Sequence, residues 1–140
     1  MLALLLAIFL LGIAAGLRTF TAPAVLWLVR HDGIWAIVLT LMAVLEYAGD
    51  LHPKAPPRTG ALGLVARFAS GAFVGWAIAA PAGAAAAGAI AGIAGAAAGA
   101  FGGLAFRRAA IVAIGRVPAA LLEDAVAIGL AVFAVVKAPA

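Results

Sequence analysis

Charged side chains inside otherwise apolar stretches are the residues of this sequence best placed to do chemistry. A charge at the centre of a membrane helix costs about 2.5–3.5 kcal/mol on insertion scales, so such residues are usually paired or functional. Arginine binds phosphate and carboxylate groups through parallel N–H donors, and carboxylates can exchange ionic partners or take up protons. These charges predict a polar site that handles an anionic group; they are Arg18, Glu46, Arg67, Glu123 and Asp124.

The composition is that of an integral membrane protein. Of the 140 residues, 68% are hydrophobic and 10% are charged, and the mean hydropathy is +1.26. A soluble domain carries about 25% charged residues. The sequence has no Cys, Asn or Gln, which excludes disulfides and Cys-ligated metals, and its two histidines, His31 and His52, flank expected loops. We therefore expect neither a metal site nor a cofactor, and the few dispersed arginines argue against nucleic-acid binding.

The spacing of the acidic residues predicts an ionic network at one depth. Glu46 and Asp50 lie four residues apart, on one face of a helix. Arg67 lies roughly 9 Å into its apolar stretch, and Glu123 is about as deep in the last one. The predicted network contains Glu46, Asp50, Arg58, Arg67, Arg107, Arg116, Glu123 and Asp124.

A second group of polar residues surrounds Arg18, where the first apolar stretch carries Thr19, Thr21 and Pro23. Unwound backbone at such a point could present N–H and C=O groups to a substrate, as broken membrane helices do. No catalytic residue is predicted. The predicted substrate-binding residues are Arg18, Thr19, Thr21 and Arg67, and the predicted helix breaks are Gly16, Pro23 and Pro118.

The elements that position these residues are predicted to form an all-α, polytopic transmembrane bundle of about five spans in a single domain. The first apolar stretch is too long for one straight span, so a broken or re-entrant helix near residues 16–29 is an alternative to a tilted one. A basic segment near residues 106–116 is expected at the headgroups. The predicted spans are residues 2–29, 34–49, 61–80, 82–104 and 118–136.

Two further patterns concern packing and orientation. Glycines at four-residue spacing, such as Gly71/Gly75 and Gly88/Gly92, allow helix backbones to approach closely. They predict central packing helices, and a homo-oligomer sealed by the same helices is an alternative use. With five spans, the positive-inside rule places the loops rich in Lys and Arg, and the N-terminus, in the cytoplasm.

Several short motifs, spread along nearly the whole chain, resemble the small bacterial integral membrane proteins grouped as domain of unknown function 4126. The resemblance implies a multi-pass protein of the bacterial inner membrane and supplies no established activity. Its motifs are Gly16-Leu17-Arg18-Thr19-Phe20-Thr21-Ala22-Pro23, Glu46 with Asp50, Pro53, Pro57-Arg58-Thr59-Gly60, Arg67, Gly115-Arg116 and Leu122-Glu123-Asp124.

Three classes of function remain open from the sequence. The leading one is a small transporter or channel-like protein that handles an anionic solute or a lipid phosphate through intramembrane Arg, Glu and Asp residues. The second is a structural or assembly protein without a substrate. The third, a lipid-modifying enzyme with Glu or Asp as general base, ranks last. Membrane lipid is an expected partner in each case.

Overall fold

The computed structural model describes residues 1–31, 33–50 and 60–138, and within these ranges the chain is all-helical without strands. Three helices, α4 with the 3₁₀ turn that follows it, α5 and α6, are long and apolar enough to cross a membrane, where the sequence predicted five spans. The elements are α1 (Leu2–Leu17), α2 (Thr21–Arg30), α3 (Ile34–Asp50), α4 (Ala61–Ala79), the 3₁₀ turn Ala80–Ala82, α5 (Ala85–Ile114) and α6 (Arg116–Lys137).

The centre of the bundle is α5, which packs along α1 on one side and along α4 on the other. A Cβ added to Gly92 would overlap the Gly71 carbonyl oxygen of α4, and a Cβ added to Gly12 would overlap the Gly92 carbonyl oxygen. Only glycine permits this approach of backbones. We call this contact the glycine seam; its members are Gly12, Gly16, Gly71, Gly75, Gly88, Gly92, Gly95 and Gly99.

The glycine seam is as central as the sequence predicts, but it is internal to one chain. Gly88 and Gly92 are buried against α4, and Gly95 and Gly99 against α1. The helix face that the sequence offered for a contact between copies is therefore covered by the protein's own helices.

The predicted span 2–29 is two helices rather than one, which confirms the alternative of a broken helix near residues 16–29. Arg18 adopts an extended conformation after α1, and α2 begins three residues later at Thr21. Met1, Leu4, Arg30 and His31 line one common cavity, so α2 returns to the end of the bundle where α1 starts. At 1.5 Å per residue, α1 reaches about 24 Å and α2 about 15 Å, each less than the ~30 Å hydrocarbon core.

Two predicted boundaries also need correction. The segment 106–116 is not separate, because α5 continues to Ile114 before Gly115 adopts a positive φ and ends it. The helix breaks also lie beside the predicted residues: Gly16 is inside α1, Pro23 is the third residue of α2 and Pro118 is the third of α6. Proline in a first helical turn removes an N–H that has no helical acceptor, so it is tolerated there.

Helix α3 lies at the edge of the bundle. It packs on α2 and has no extensive contact with α4, α5 or α6 in the described part of the chain. Its buried residues are Ala36 and Ala43, whereas apolar side chains such as Leu41 and Leu45 are exposed. In a membrane these side chains would face lipid.

Candidate functional site

Three charged residues within the long helices lie at one depth. Arg67 is about 9 Å from the start of α4, and Arg107 and Glu123 are each about 10 Å from the ends of α5 and α6 that meet at Gly115. We call this end of the bundle the Arg116 end and the opposite one the Met1 end. The short helices α1 and α3 stop at this depth, with Leu17 and Asp50 as their last residues.

Arg18 is the central cation of this layer. Its side chain is 1% exposed, and its Nη1 lies 2.6 Å from Asp50 Oδ2. Its Nη2 pairs with Asp124 Oδ1, and its guanidinium carbon lies 5.0 Å from the centroid of the Tyr47 ring. Helices α3 and α6 are thereby joined through the residue that follows α1.

Arg107 extends the same cluster to α5. Its Nη1 lies 3.0 Å from Asp50 Oδ2 and 3.3 Å from Glu123 Oε2, and the Glu123 side chain is 1% exposed. We call these residues the ionic cluster; its members are Arg18, Asp50, Arg107, Glu123 and Asp124.

Glu46 has a different role from the one predicted, because its carboxylate binds backbone rather than an arginine in the described contacts. The Thr19 N–H donates to Glu46 Oε1 at 2.8 Å, and the Phe20 N–H donates to Oε2 at 3.0 Å. These two donors directly precede α2, where the helix dipole favours a negative charge. Glu46 therefore caps the start of α2 from a neighbouring helix.

The same turn is bound from α4. Arg67 Nε donates to the Gly16 carbonyl oxygen at 2.9 Å, and Ser70 Oγ donates to the Thr19 carbonyl oxygen at 2.6 Å. On the other side, the Thr21 and Tyr47 hydroxyl oxygens lie 2.5 Å apart. These contacts satisfy polar groups of the α1–α2 turn, which would otherwise be costly in lipid.

A cavity of about 670 Å³ lies between α3 and α4 and reaches this turn. Apolar side chains form most of its wall, and the α1–α2 turn and the charged residues form its polar floor. We call it the α3–α4 cavity; the described residues that line it are Thr19, Phe20, Met42, Leu45, Glu46, Gly49, Asp50, Gly60, Ala61, Leu62, Gly63, Ala66 and Arg67.

A smaller cavity, of about 210 Å³, lies on the other side of the ionic cluster. It is lined by Asp50, Arg107 and Arg116, together with apolar residues of α6. Asp50 lines both cavities, so this carboxylate lies between the α3–α4 cavity and the cavity at the Arg116 end.

The structure brings together most of the residues that the sequence singled out. Asp50, Arg107, Glu123 and Asp124 join the ionic cluster, and Arg116 lies beside it. Arg58 lies outside the described residues. Of the predicted substrate-binding residues, Thr19 and Arg67 line the α3–α4 cavity, whereas Arg18 lies between two carboxylates and Thr21 contacts Tyr47.

Sequence reasoning missed two polar residues at this site, Tyr47 and Ser70. Each had a usable signal. Tyr47 directly follows Glu46, and Ser70 is the only serine of the sequence and lies three residues after Arg67.

Neither a family model, a curated protein nor a solved structure matches this chain. The resemblance to domain of unknown function 4126 therefore stays a prediction, and arguments about function depend on the geometry of the site.

Proposed function

We propose that this protein is a small transporter or channel-like membrane protein that handles an anionic group, carried by a solute or a lipid, at the α1–α2 turn. One observation carries the proposal. The backbone N–H groups of Thr19 and Phe20 already bind a carboxylate, that of Glu46, at the edge of a cavity. Glu46 would then occupy the place of the ligand's anionic group.

The geometry of the turn supports this function. A helix N-terminus binds carboxylate or phosphate through its free N–H groups and its dipole. Broken helices that point such ends into the membrane are a recurring feature of transporters. Here the turn between α1 and α2 lies about 10 Å inside the Arg116 end, and the α3–α4 cavity gives access to it.

The charges refine the role of the arginines. Arg18 and Arg107 already contact carboxylates, so an incoming anion gains little from them unless those pairs open. Arg67 lines the cavity and donates to backbone oxygens of α1 and α4. In this proposal the backbone N–H groups bind the anion, and the ionic cluster holds the turn in place.

For the orientation we propose the bacterial inner membrane with the Arg116 end in the cytoplasm, because Arg107, Arg108 and Arg116 are concentrated there. Since α1 and α2 form a returning pair, Met1 then lies on the outer side. The single-span interpretation of residues 2–29 placed it in the cytoplasm.

The test is amide NMR on ¹⁵N-labelled protein in detergent micelles, titrated with inorganic phosphate, acetate and a short-chain phospholipid. The Thr19 and Phe20 amides should shift, and the amide of Gly83 at the Met1 end should not. Glu46→Gln should tighten the binding of phosphate and of acetate about tenfold, because the competing negative charge is removed. The proposal fails if these two amides respond to no probe in either protein.

A second candidate, a structural or assembly protein without a substrate, is favoured by the pairing within the ionic cluster. A buried charge set whose members contact one another can serve to fix helix positions alone. The same titration separates the candidates, because a purely structural turn would leave Glu46 undisplaced at every probe concentration.

A further inference from the structure

The α3–α4 cavity has walls and a floor of different chemistry. Leu45 of α3 and Leu62 of α4 line it, and they are 70% and 84% exposed. Because α3 packs on α2 and has no extensive contact with α4 among the described residues, these residues leave an opening between the two walls. In a membrane that opening faces acyl chains, and the polar floor lies at its inner end.

The floor carries both signs of charge. Glu46 and Asp50 are on α3, and Arg67 is on α4; Asp50 is already paired with Arg18 and Arg107. A ligand whose only charge is negative would free the Glu46 carboxylate from Thr19 and Phe20, and the one cation of the described lining, Arg67, already donates to backbone oxygens. An unpaired carboxylate is costly in such surroundings.

We propose that the ligand is a membrane lipid whose headgroup carries both a phosphate and an ammonium group, and that it enters sideways between α3 and α4. The phosphate takes the N–H donors that Glu46 holds, and the released Glu46 carboxylate, beside Asp50, receives the ammonium. The acyl chains remain between the leucine-lined walls. This inference rests on the proposed function, because it names the substrate class of the same turn.

The size of the cavity suits such a headgroup. Its volume of about 670 Å³ lies within the range of about 300–1,000 Å³ typical of small-molecule sites. Most of the cavity lining is apolar, and it can contact the glycerol region of a lipid and the first carbons of its acyl chains. A free phosphate ion would make no use of this apolar lining.

The experiment compares three lipids by native mass spectrometry of the purified full-length chain: phosphatidylethanolamine, phosphatidylglycerol and phosphatidylcholine. We expect phosphatidylethanolamine to bind about tenfold more tightly than phosphatidylglycerol, the effect of one charge-assisted hydrogen bond. Phosphatidylcholine should also bind more weakly, because its trimethylated nitrogen has no N–H donor. Equal binding of phosphatidylglycerol and phosphatidylethanolamine would overturn the proposal.

A matched pair of substitutions locates the lipid. Gly49 lines the cavity and Gly129 lies on α6, and a Cβ added to either meets no atom within 4 Å. Gly49→Trp should reduce phosphatidylethanolamine binding about tenfold or more. Gly129→Trp, the same change on another helix, should leave it unchanged. Lipid binding that is indifferent to Gly49→Trp would show that the lipid lies elsewhere.

If the Gly49→Trp variant does not fold, a second pair of substitutions tests the same position of the lipid. Leu45→Trp changes a cavity wall, and Val44→Trp changes an exposed neighbour that does not line the cavity. Failure of this inference is also distinct from failure of the proposed function. If inorganic phosphate shifts the Thr19 and Phe20 amides while no lipid is preferred, the anion site stands and the lipid is wrong. If neither ligand acts at the turn, both proposals fall.

Discussion

The glycine seam and the ionic cluster hold the same bundle together in opposite ways. In the seam, α1, α4 and α5 approach until a single Cβ, as at Gly92, would overlap a neighbouring backbone. In the ionic cluster, the end of α1, α3, α5 and α6 are joined by long side chains around Arg18 and Arg107. The glycine seam depends on the absence of side chains, whereas the ionic cluster depends on charged side chains.

The difference indicates how each region can tolerate change. Backbone contact through glycine has no adjustable part, because neither helix can move without separating the whole seam. A charged side chain can have alternative partners, since Asp50 contacts both Arg18 and Arg107. With a rigid seam beside this cluster, ionic partners can be exchanged at one depth without unpacking the bundle.

The largest effect is expected in the seam. Gly92→Ala places a methyl group on the Gly71 carbonyl oxygen, so α4 and α5 must move apart along their length. Because the two backbones are in contact and neither side can yield, we expect a loss well above the roughly 1–3 kcal/mol typical of overpacked cores, seen as loss of monodisperse protein in detergent. The control is Gly102→Ala in the same helix, where a Cβ meets nothing within 4 Å and stability should be retained. Equal behaviour of the two variants would mean that the helices are not in backbone contact.

The next largest effect is expected at the centre of the ionic cluster. Arg18→Met removes the buried cation shared by Asp50 and Asp124 and leaves these half-buried carboxylates with fewer partners. Breaking a buried pair typically costs about 3–5 kcal/mol, so thermal unfolding should occur at a clearly lower temperature. Arg108→Met makes the same chemical change at an exposed position and should melt like wild type. If Arg18→Met also melts like wild type, the cluster is hydrated and does not hold the helices.

A smaller effect is expected where charge meets backbone. Glu46→Ala leaves the Thr19 and Phe20 N–H groups without their acceptor. Because both residues line the α3–α4 cavity, water can replace part of the lost contact, so the loss should be about 1–3 kcal/mol in total. Glu46→Gln keeps one acceptor oxygen and should recover part of the loss. The check is thermal unfolding of both variants, and a Gln variant that is no better than Ala would argue against the cap.

The smallest effect is expected at the hydroxyl pair beside the turn. Tyr47→Phe removes the contact with Thr21 Oγ1 but keeps the ring beside Arg18. A neutral hydrogen bond contributes about 0.5–1.5 kcal/mol, so the variant should show a small decrease in unfolding temperature. A decrease as large as that of Arg18→Met would place Tyr47 among the essential members of the site.

Much of the ionic cluster could be predicted from the sequence, because the cost of charge in hydrocarbon singles out Arg18, Glu123 and Asp124 without any structure. The role of Glu46 could not be predicted in this way. Its partners are backbone N–H groups, and backbone donors leave no mark in a sequence unless the helix break is already placed. The break falls at Arg18–Phe20, beside Gly16 and Pro23 rather than on them.

The number of spans shows a similar limit. The apolar stretch of residues 2–29 is too long for one straight span, and its length alone could not decide between a tilted span and a broken helix. The reversal at Arg18 is fixed by contacts that come from distant segments, namely Glu46, Arg67, Ser70 and Asp124. Such tertiary contacts override the length of an apolar run.

The central claim is that α1 and α2 form a pair that turns inside the membrane and brings the Thr19 and Phe20 N–H groups to the polar layer. Because the sequence has no cysteine, single-cysteine variants report cleanly on its topology. Leu2→Cys, His31→Cys, Ala82→Cys and Val112→Cys would be labelled in oriented vesicles with a membrane-impermeant maleimide. The account predicts that Leu2, His31 and Ala82 react from one side and Val112 from the other. Labelling of Leu2 and His31 from opposite sides would contradict it.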